Sequence, residues 1–529
     1  MATPLADRVS GLVLAGFDGP VADAETLEFI SQTAGTILFR RNVESASQTA
    51  ALVDTLQAAA NASGAQPLII AVDQEGGSVL RLGSVGTPTP SAMALGAAGD
   101  LGLTEDVYCV VGEELAALGV TLDFAPVADV NNNPENPVIG IRSFGDEPAV
   151  VSRHVGAAVR GLHRGGVGAT CKHFPGHGDT RVDSHRDLPV APHGVERLRA
   201  LELPPFEAGI LAGTDAIMTA HFALPNVDPS GVPATLSRPV LTGLLREELA
   251  FDGLICTDCM EMDAIAKRYA VGEAAVQAVS AGADLILYSS SLDMAREAVN
   301  ALRHALADGT LDAAAVERSL ERVGRLRRAL AGPRSRDLSV ICSDAHRRVA
   351  SSAFAKATTV VRDTRPVLPL EAKKGKRIFL VQFDGANGVA GHGSAAATKT
   401  TFGDALARSP ARVQEQIRSL DPAGHEYKQL LMAASSADAI VAVTRRAFMH
   451  RLQAQAVADL ALAEKPLVIV AACEPYDATL APAQAAVIAT FGDQEGALSA
   501  AAGAILGTLV PKGKLPVSLP QKAPEGSES

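Results

Sequence analysis

The stretch Gly168-Ala169-Thr170-Cys171-Lys172-His173-Phe174-Pro175-Gly176-His177-Gly178-Asp179-Thr180-Arg181-Val182-Asp183-Ser184-His185 decides how this chain is read. Its first four residues form a short apolar run, the end of a buried strand. The next fourteen, from Lys172 to His185, crowd together three histidines, two aspartates, a lysine and an arginine. Pro175, Gly176 and Gly178 break any regular element, so this part reads as a loop. A titratable loop at the tip of a buried strand is where barrel enzymes keep their chemistry.

Residues 1–330 alternate short apolar runs with amphipathic stretches. Eight candidate strands lie at 11–16, 35–39, 67–72, 121–126, 167–171, 216–219, 253–256 and 283–288. Helical patterns at 46–60, 106–118, 149–164, 195–212, 239–249 and 272–281 separate them. Strand–helix repetition implies a parallel sheet, and eight such units imply an α/β fold of the (β/α)8 type over residues 1–335. A doubly wound sheet is the alternative. Asp73 and Glu75 follow the third strand, Asp129 and Arg142 the fourth, Lys172 and His173 the fifth, His221 the sixth and Asp258 the seventh. Independent strands that aim polar groups at one rim are what a barrel active site requires.

A closing helix is expected at 313–330, ending before Pro333. Residues 336–375 read as a linker with one helix at 343–356. Residues 376–520 read as a smaller α/β/α sandwich. Its strands are expected at 377–383, 439–444, 467–472 and 485–490, and its helices at 425–436, 451–463 and 496–507. Residues 521–529 read as a disordered tail.

A length of 529 residues calls for two or three cores. The formal net charge of −12 argues against a general binder of nucleic acid or anionic membranes. The first 17 residues hold one acid, one base and no long apolar core, so no signal peptide is expected. No apolar run is long enough for a membrane span, and a cytoplasmic location is the expectation. The six cysteines are scattered in apolar runs and read as reduced core residues. Cys256 and Cys259 have redox spacing but no second pair. Tryptophan is absent and aromatics make up 4%. That favours a small polar pocket over a long aromatic-lined groove.

Asp258 stands among apolar residues where a strand meets the rim. It is either a nucleophile that forms a covalent intermediate or the N-cap of a following helix. Asp183 and His185 are two residues apart, so in extended chain they share a face. An aspartate so placed holds an imidazole in one tautomer, ready to give and take a proton; a structural ion pair is the alternative. Asp73, Arg142, Lys172 and His173 suit a ligand rich in hydroxyls, with rim solvation as the bland reading. Arg142 suits an acetamido carbonyl or an anion. His173, His177, Asp179, Asp183 and His185 also permit a metal site, but their spacing matches no metal motif. No GxGxxG follows a strand, so neither a metal nor a cofactor is expected.

Taken together, these motifs resemble glycoside hydrolase family 3, in its β-N-acetylglucosaminidase branch. The segment 172–178 followed by Asp183-Ser184-His185 is similar to that branch's signature. Asp73-Gln74-Glu75-Gly76-Gly77, residues 123–129, residues 139–144, Thr257-Asp258-Cys259-Met260-Glu261-Met262 and residues 511–517 resemble further family blocks. The resemblance implies a retaining exo-β-N-acetylglucosaminidase without cofactors, acting on small oligosaccharides or muropeptides. It implies Asp258 as nucleophile, His185 supported by Asp183 as general acid/base, and Asp73, Arg142, Lys172, His173 and His221 as sugar ligands. An imidazole is neutral once it has given up its proton, so phosphate is a candidate acceptor beside water. A sugar-binding barrel without activity is the competing class. Ser78 departs from the family pattern, in which arginine is common at this place; Arg81 stands three residues on.

Overall fold

A computed structural model describes residues 4–181, 183–184, 187–332, 335–384 and 401–520. Eight strands close into a barrel in chain order: β1 (Val13–Ala15), β2 (Gly35–Leu38), β3 (Ile69–Val72), β4 (Leu122–Asp123), β5 (Gly168–Phe174), β6 (Ala216–Thr219), β7 (Leu254–Cys259) and β8 (Leu285–Tyr288). All neighbours are parallel, and β8 returns to β1 through Val13–Ile286 and Leu14–Leu287. Closure leaves no open edge. The strands are apolar in near-continuous runs because both faces are covered, by the barrel core inside and helices outside.

Every expected barrel strand is present. Two of them run further than their apolar runs. β5 continues through Lys172 and His173, and β7 continues through Asp258. Their backbones stay in the ladder, where Lys172 lies opposite Met218 and Cys259 opposite Leu287. The polar side chains thus stand on strands, which hold them more firmly than loops would.

The covering helices follow from pattern and caps. Helix α1 (Leu101–Leu118) starts at Asp100, whose side chain accepts from Leu103 N at 3.0 Å, and stops at Gly119, φ +85°. Helix α2 (Pro148–Arg164) opens on a proline and buries Val151, Val155, Val159 and Leu162 on one face. Helix α3 (Ala313–Ala329) closes the barrel and returns to its beginning. Glu317 pairs with Arg8 at 2.7 Å, and Leu320 packs on Gly11.

Helix α4 (Asp344–Ala357) leads to a second sheet, in the order β9 (Thr359–Arg362), β14 (Ala486–Ala489), β13 (Leu467–Ala471), β12 (Ala439–Thr444), β10 (Arg377–Phe383), β11 (Arg412–Arg418). Only β9 is antiparallel. Ile378 and Leu380 face one apolar layer, with Phe402 and Leu498. Phe379 and Val381 face the other, with Leu430 and Val457. The period of two therefore serves two cores, and the domain is a sandwich. Its edge strands β9 and β11 were not expected from the sequence. β9 falls within residues read as linker. β11 reads Arg-Val-Gln-Glu-Gln-Ile-Arg, with the charge an edge strand carries and no apolar run. The tail expected at 521–529 lies outside the described residues.

The two domains meet across an apolar patch of Met93, Ala97, Ile141, Tyr476, Phe491 and Val517. Ser91 Oγ donates to Phe491 O at 2.6 Å, and Lys514 N donates to Ala97 O at 2.9 Å. The segment 511–517, matched above to a family block, thus lies at this junction.

Candidate active site

The C-terminal ends of the barrel strands surround a cavity of about 420 Å³. Its wall includes Asp73, Arg142, Lys172, His173, Asp183 and Asp258, six of the eight residues singled out from sequence.

Lys172 is the hub. Its Nζ donates to Asp73 Oδ1 and lies equally close, 2.6 Å, to Glu75 Oε1. Glu75 also receives a two-pronged grip from Arg142, Nε to Oε2 and Nη2 to Oε1, both at 2.8 Å. Burial alone would raise the Glu75 carboxyl, but Arg142 and Lys172 outweigh it and hold the group far below the usual range. Burial likewise works against the Lys172 charge, and Asp73 with Glu75 reverses that and raises it. Glu75 reaches this spot because a short hairpin, Gln74–Gly76 with Val79–Leu80, follows β3. Its turn needs Gly76 and Gly77, at φ +94° and +60°. A Cβ on Gly76 would lie 2.4 Å from Pro90 O, and one on Gly77 2.5 Å from Ser91 Cβ. Arg81, just past the hairpin, lines the cavity 4.0 Å from Asp73 and stacks on Phe39. It brings a guanidinium to the rim where Ser78 brings none.

His173 is held by Asp129, which accepts from its Nδ1 at 2.8 Å. Its Nε2 faces Arg142 Nη2 at 3.3 Å. Arginine only donates, so Nε2 accepts and Nδ1 carries the hydrogen. Asp129 also receives the backbone N–H of His177 at 2.7 Å. Burial would raise Asp129, yet these contacts with His173 and His177 lower it, so it remains a carboxylate.

The loop after β5 turns back over the cavity. Its anchor is His177, whose Nδ1 meets Thr180 Oγ1 at 2.6 Å and whose Nε2 meets Ser184 Oγ at 3.3 Å. Burial pushes His177 down to about 4, so it stays neutral near pH 7. Asp183 and Ser184 arrive at the cavity wall beside Asp258 and Glu261. His185 lies outside the described residues.

Asp258 is the penultimate residue of β7 and accepts from its neighbour's backbone, Cys259 N, at 2.7 Å. The next helix, Asp263–Ala266, has Met262 as its N-cap, so capping is not what Asp258 does. Glu261 ties the rims of β7 and β8 together. It accepts the backbone N–H groups of Ser289, Ser290 and Ser291 at 2.8, 2.9 and 2.6 Å. His221 stands behind this wall, fully buried and absent from the cavity lining. It bonds Thr235 Oγ1 at 2.7 Å and the carbonyl of Cys259 at 2.9 Å, next to Asp258. Expected as a sugar ligand, it lies one layer deeper.

Among the described residues, no group of three or more His, Cys, Asp or Glu is arranged to hold a metal ion. Cys256 and Cys259 are free thiols, and burial pushes Cys259 up to about 12. Among the described residues, no helix is long and apolar enough to cross a membrane.

The family description "Glycosyl hydrolase family 3 N terminal domain" matches residues 12–326, and "Glycosyl hydrolase family 3 C-terminal domain" matches residues 358–527. The chain belongs to glycosyl hydrolase family 3. A solved family 3 β-N-acetylglucosaminidase from a Paenibacillus species is 38% identical, with a TM-score of 0.92, over 98% of this chain and 99% of that one. The family 3 chain is also 36% identical to the β-hexosaminidase A of Pseudoalteromonas piscicida, over 65% of its own length and 62% of that relative's. It is 36% identical to a β-hexosaminidase of Stenotrophomonas maltophilia, over 58% of itself and 90% of that protein.

Sequence reasoning placed Glu75 and Asp129 at the rim without giving them a role, and named His177 only within a possible metal set. Glu261, inside a family-like block, and Asn136 it did not single out. Asn136, in a run of asparagines and prolines, carried no signal.

Proposed function

We propose that this chain is a retaining exo-β-N-acetylglucosaminidase that removes terminal β-linked N-acetylglucosamine from small cell-wall or chitin fragments. The observation behind this reading is one small cavity whose wall holds Asp258, Asp183 and the Asp73–Glu75–Lys172–Arg142 charge set. The β-hexosaminidase names of the relatives and the Paenibacillus neighbour support the activity. A cavity of about 420 Å³ suits a single sugar ring, hence action at chain ends.

Asp73, Lys172, Arg142 and His173 grip the hydroxyls and acetamido group of the terminal sugar. Asp258 attacks the anomeric carbon as the bond to the leaving oxygen breaks, and that oxygen takes a proton from His185. Water then attacks the same carbon, gives its proton to His185 and frees Asp258. Asp183 orients the imidazole. His221 acts from behind by fixing the backbone next to Asp258.

The test is to incubate the protein with an aryl β-N-acetylglucosaminide, follow the configuration of the released hexose by NMR, and trap the enzyme with a slow 5-fluoro sugar. Net retention and a label on Asp258 are expected; inversion, or a label on another side chain, sinks the reading. Adding phosphate to the same assay identifies the acceptor, since a sugar 1-phosphate product forms only if phosphate replaces water.

A further inference from the structure

The second domain contributes no side chain to the described cavity wall, yet it holds one of the loops that do and, through that loop, a second. Arg446 and Glu474 follow β12 and β13, at the end of the sheet that faces the barrel. They form a buried ion pair at 3.2 Å, with both side chains less than one-tenth exposed. Arg446 Nη2 donates to the carbonyl of Asn136 at 3.4 Å. Glu474 Oε1 fills the space beside Gly140, so that a Cβ there would lie 2.2 Å from it. Gly140 has φ +43° and opens the short turn Gly140–Arg142. Nearby, Tyr476 OH accepts from Asn131 Nδ2 at 2.9 Å.

The loop held this way serves the cavity twice. Pro137, Val138 and Arg142 are part of its wall. The Asn136 side chain is a buried knot. Its Oδ1 accepts from Val138 N at 2.9 Å and Ile139 N at 2.8 Å. Its Nδ2 donates to His177 O at 2.8 Å and Gly178 O at 3.0 Å. Residues 177 and 178 begin the loop that brings Asp183 and Ser184 to the cavity wall. One asparagine therefore ties the sugar-gripping arginine to the loop proposed to carry the acid/base.

The geometry points to Arg446 and Glu474 as positioning residues for hydrolysis, acting through Asn136 and Gly140 on Arg142 and on the loop that starts at His177. This inference rests on the activity proposed above. It gives the second domain a catalytic consequence without a catalytic residue. A shift of about 1 Å in such a constellation costs up to about a hundredfold in rate.

The experiment uses the full chain and the variants Arg446→Met, Glu474→Gln and the double. Three quantities are read: kcat/KM on an aryl β-N-acetylglucosaminide, the thermal unfolding midpoint, and hydrogen exchange at the amides of Val138, Ile139 and His177. Each single variant is expected to lose about tenfold or more in kcat/KM, with the double no worse than the weaker single, because both break one link. Each single variant leaves one buried charge unpaired and lowers the unfolding midpoint, and the double, which leaves none, lowers it less; exchange at those three amides rises in all three variants and so does not follow the midpoint. Should Arg446→Met not fold, the isosteric Glu474→Gln carries the test. Variants within twofold of the parent, losses that multiply in the double, or unchanged exchange would overturn the inference. A parent without turnover sinks the proposed activity instead, and the exchange data, which need no turnover, still decide this link.

Discussion

Lys172 lies between two carboxylates, and one of those is also gripped by Arg142. Removing one member of such a buried set leaves the others uncompensated, at a cost of about 3–5 kcal/mol. Glu75→Gln is therefore expected to lower stability by that order and to raise KM, because Lys172 and Arg142 lose the group that aims them. Urea unfolding together with steady-state kinetics checks both. A KM unchanged in a destabilised variant would mean that Glu75 serves the fold alone. Asp258→Ala is expected to abolish nearly all turnover. His185→Ala is expected to slow substrates with poor leaving groups far more than activated aryl ones, and equal losses across a leaving-group series would remove His185 from the acid role. At this scale the strand-end acids and bases were legible in the sequence, since a charge beside an apolar run is costly without a partner or a task. Which charge partners which was not. Glu75 and Arg142 are far apart in the chain and meet only because neighbouring strands bring their rims together. His221 shows the same gap, since a polar residue after a strand points to the rim or away from it according to a register the sequence does not print.

Elements hold the site through charges that titrate. The wide helical turn Leu198–Glu202 lies beneath the loop after β5, and a Cβ on Gly176 would lie 2.6 Å from Glu202 Cβ. Burial pushes Glu202 up to about 7, with Arg197 only partly offsetting it. A carboxyl raised on folding stabilises the fold below its unfolded value, near 4.5, and that contribution fades as pH climbs through 7. Glu202→Gln is thus expected to be more stable than the parent at pH 8, by up to about 3 kcal/mol, and nearly equal to it at pH 4.5. Parallel unfolding curves at both pH values check this; a variant weaker at pH 8 would contradict it.

Helix α4 offers the opposite case. His346 Nδ1 meets Glu114 and Nε2 meets Glu113, both at 2.9 Å, so the ring donates twice and is held protonated. Its value is raised, chiefly by the bond to Glu114. That stabilisation is complete below 6.5 and is lost as pH rises through the raised value. His346→Gln should therefore cost most stability at pH 6, with the cost shrinking as pH rises through the raised value, and melting curves across that rise test it. At this scale the barrel strands were legible because a strand buried on both faces is a plain apolar run. β9 and β11 were not, because edge strands face solvent and spell themselves in polar residues.

For the whole molecule, the patch between the domains makes each a part of the other's stability. Phe491 is fully buried there. Phe491→Ala is expected to cost about 3–5 kcal/mol and to lower the unfolding of barrel and sandwich together. Calorimetry that shows one domain melting at its parental temperature would argue that the patch is incidental. The order of domains was legible from alternating patterns; their contact was not, since nothing local marks Met93 or Ile141 as facing another core rather than its own.

The return of α3 to the segment before β1 has a practical side. With Arg8 paired to Glu317, the barrel's first and last secondary elements are neighbours in space. A short splice between them would let the ring be opened at another loop, distant from the cavity, without stretching any strand. Such a circular permutant is the barrel alone, since the splice takes the bond by which the closing helix leads on to the sandwich.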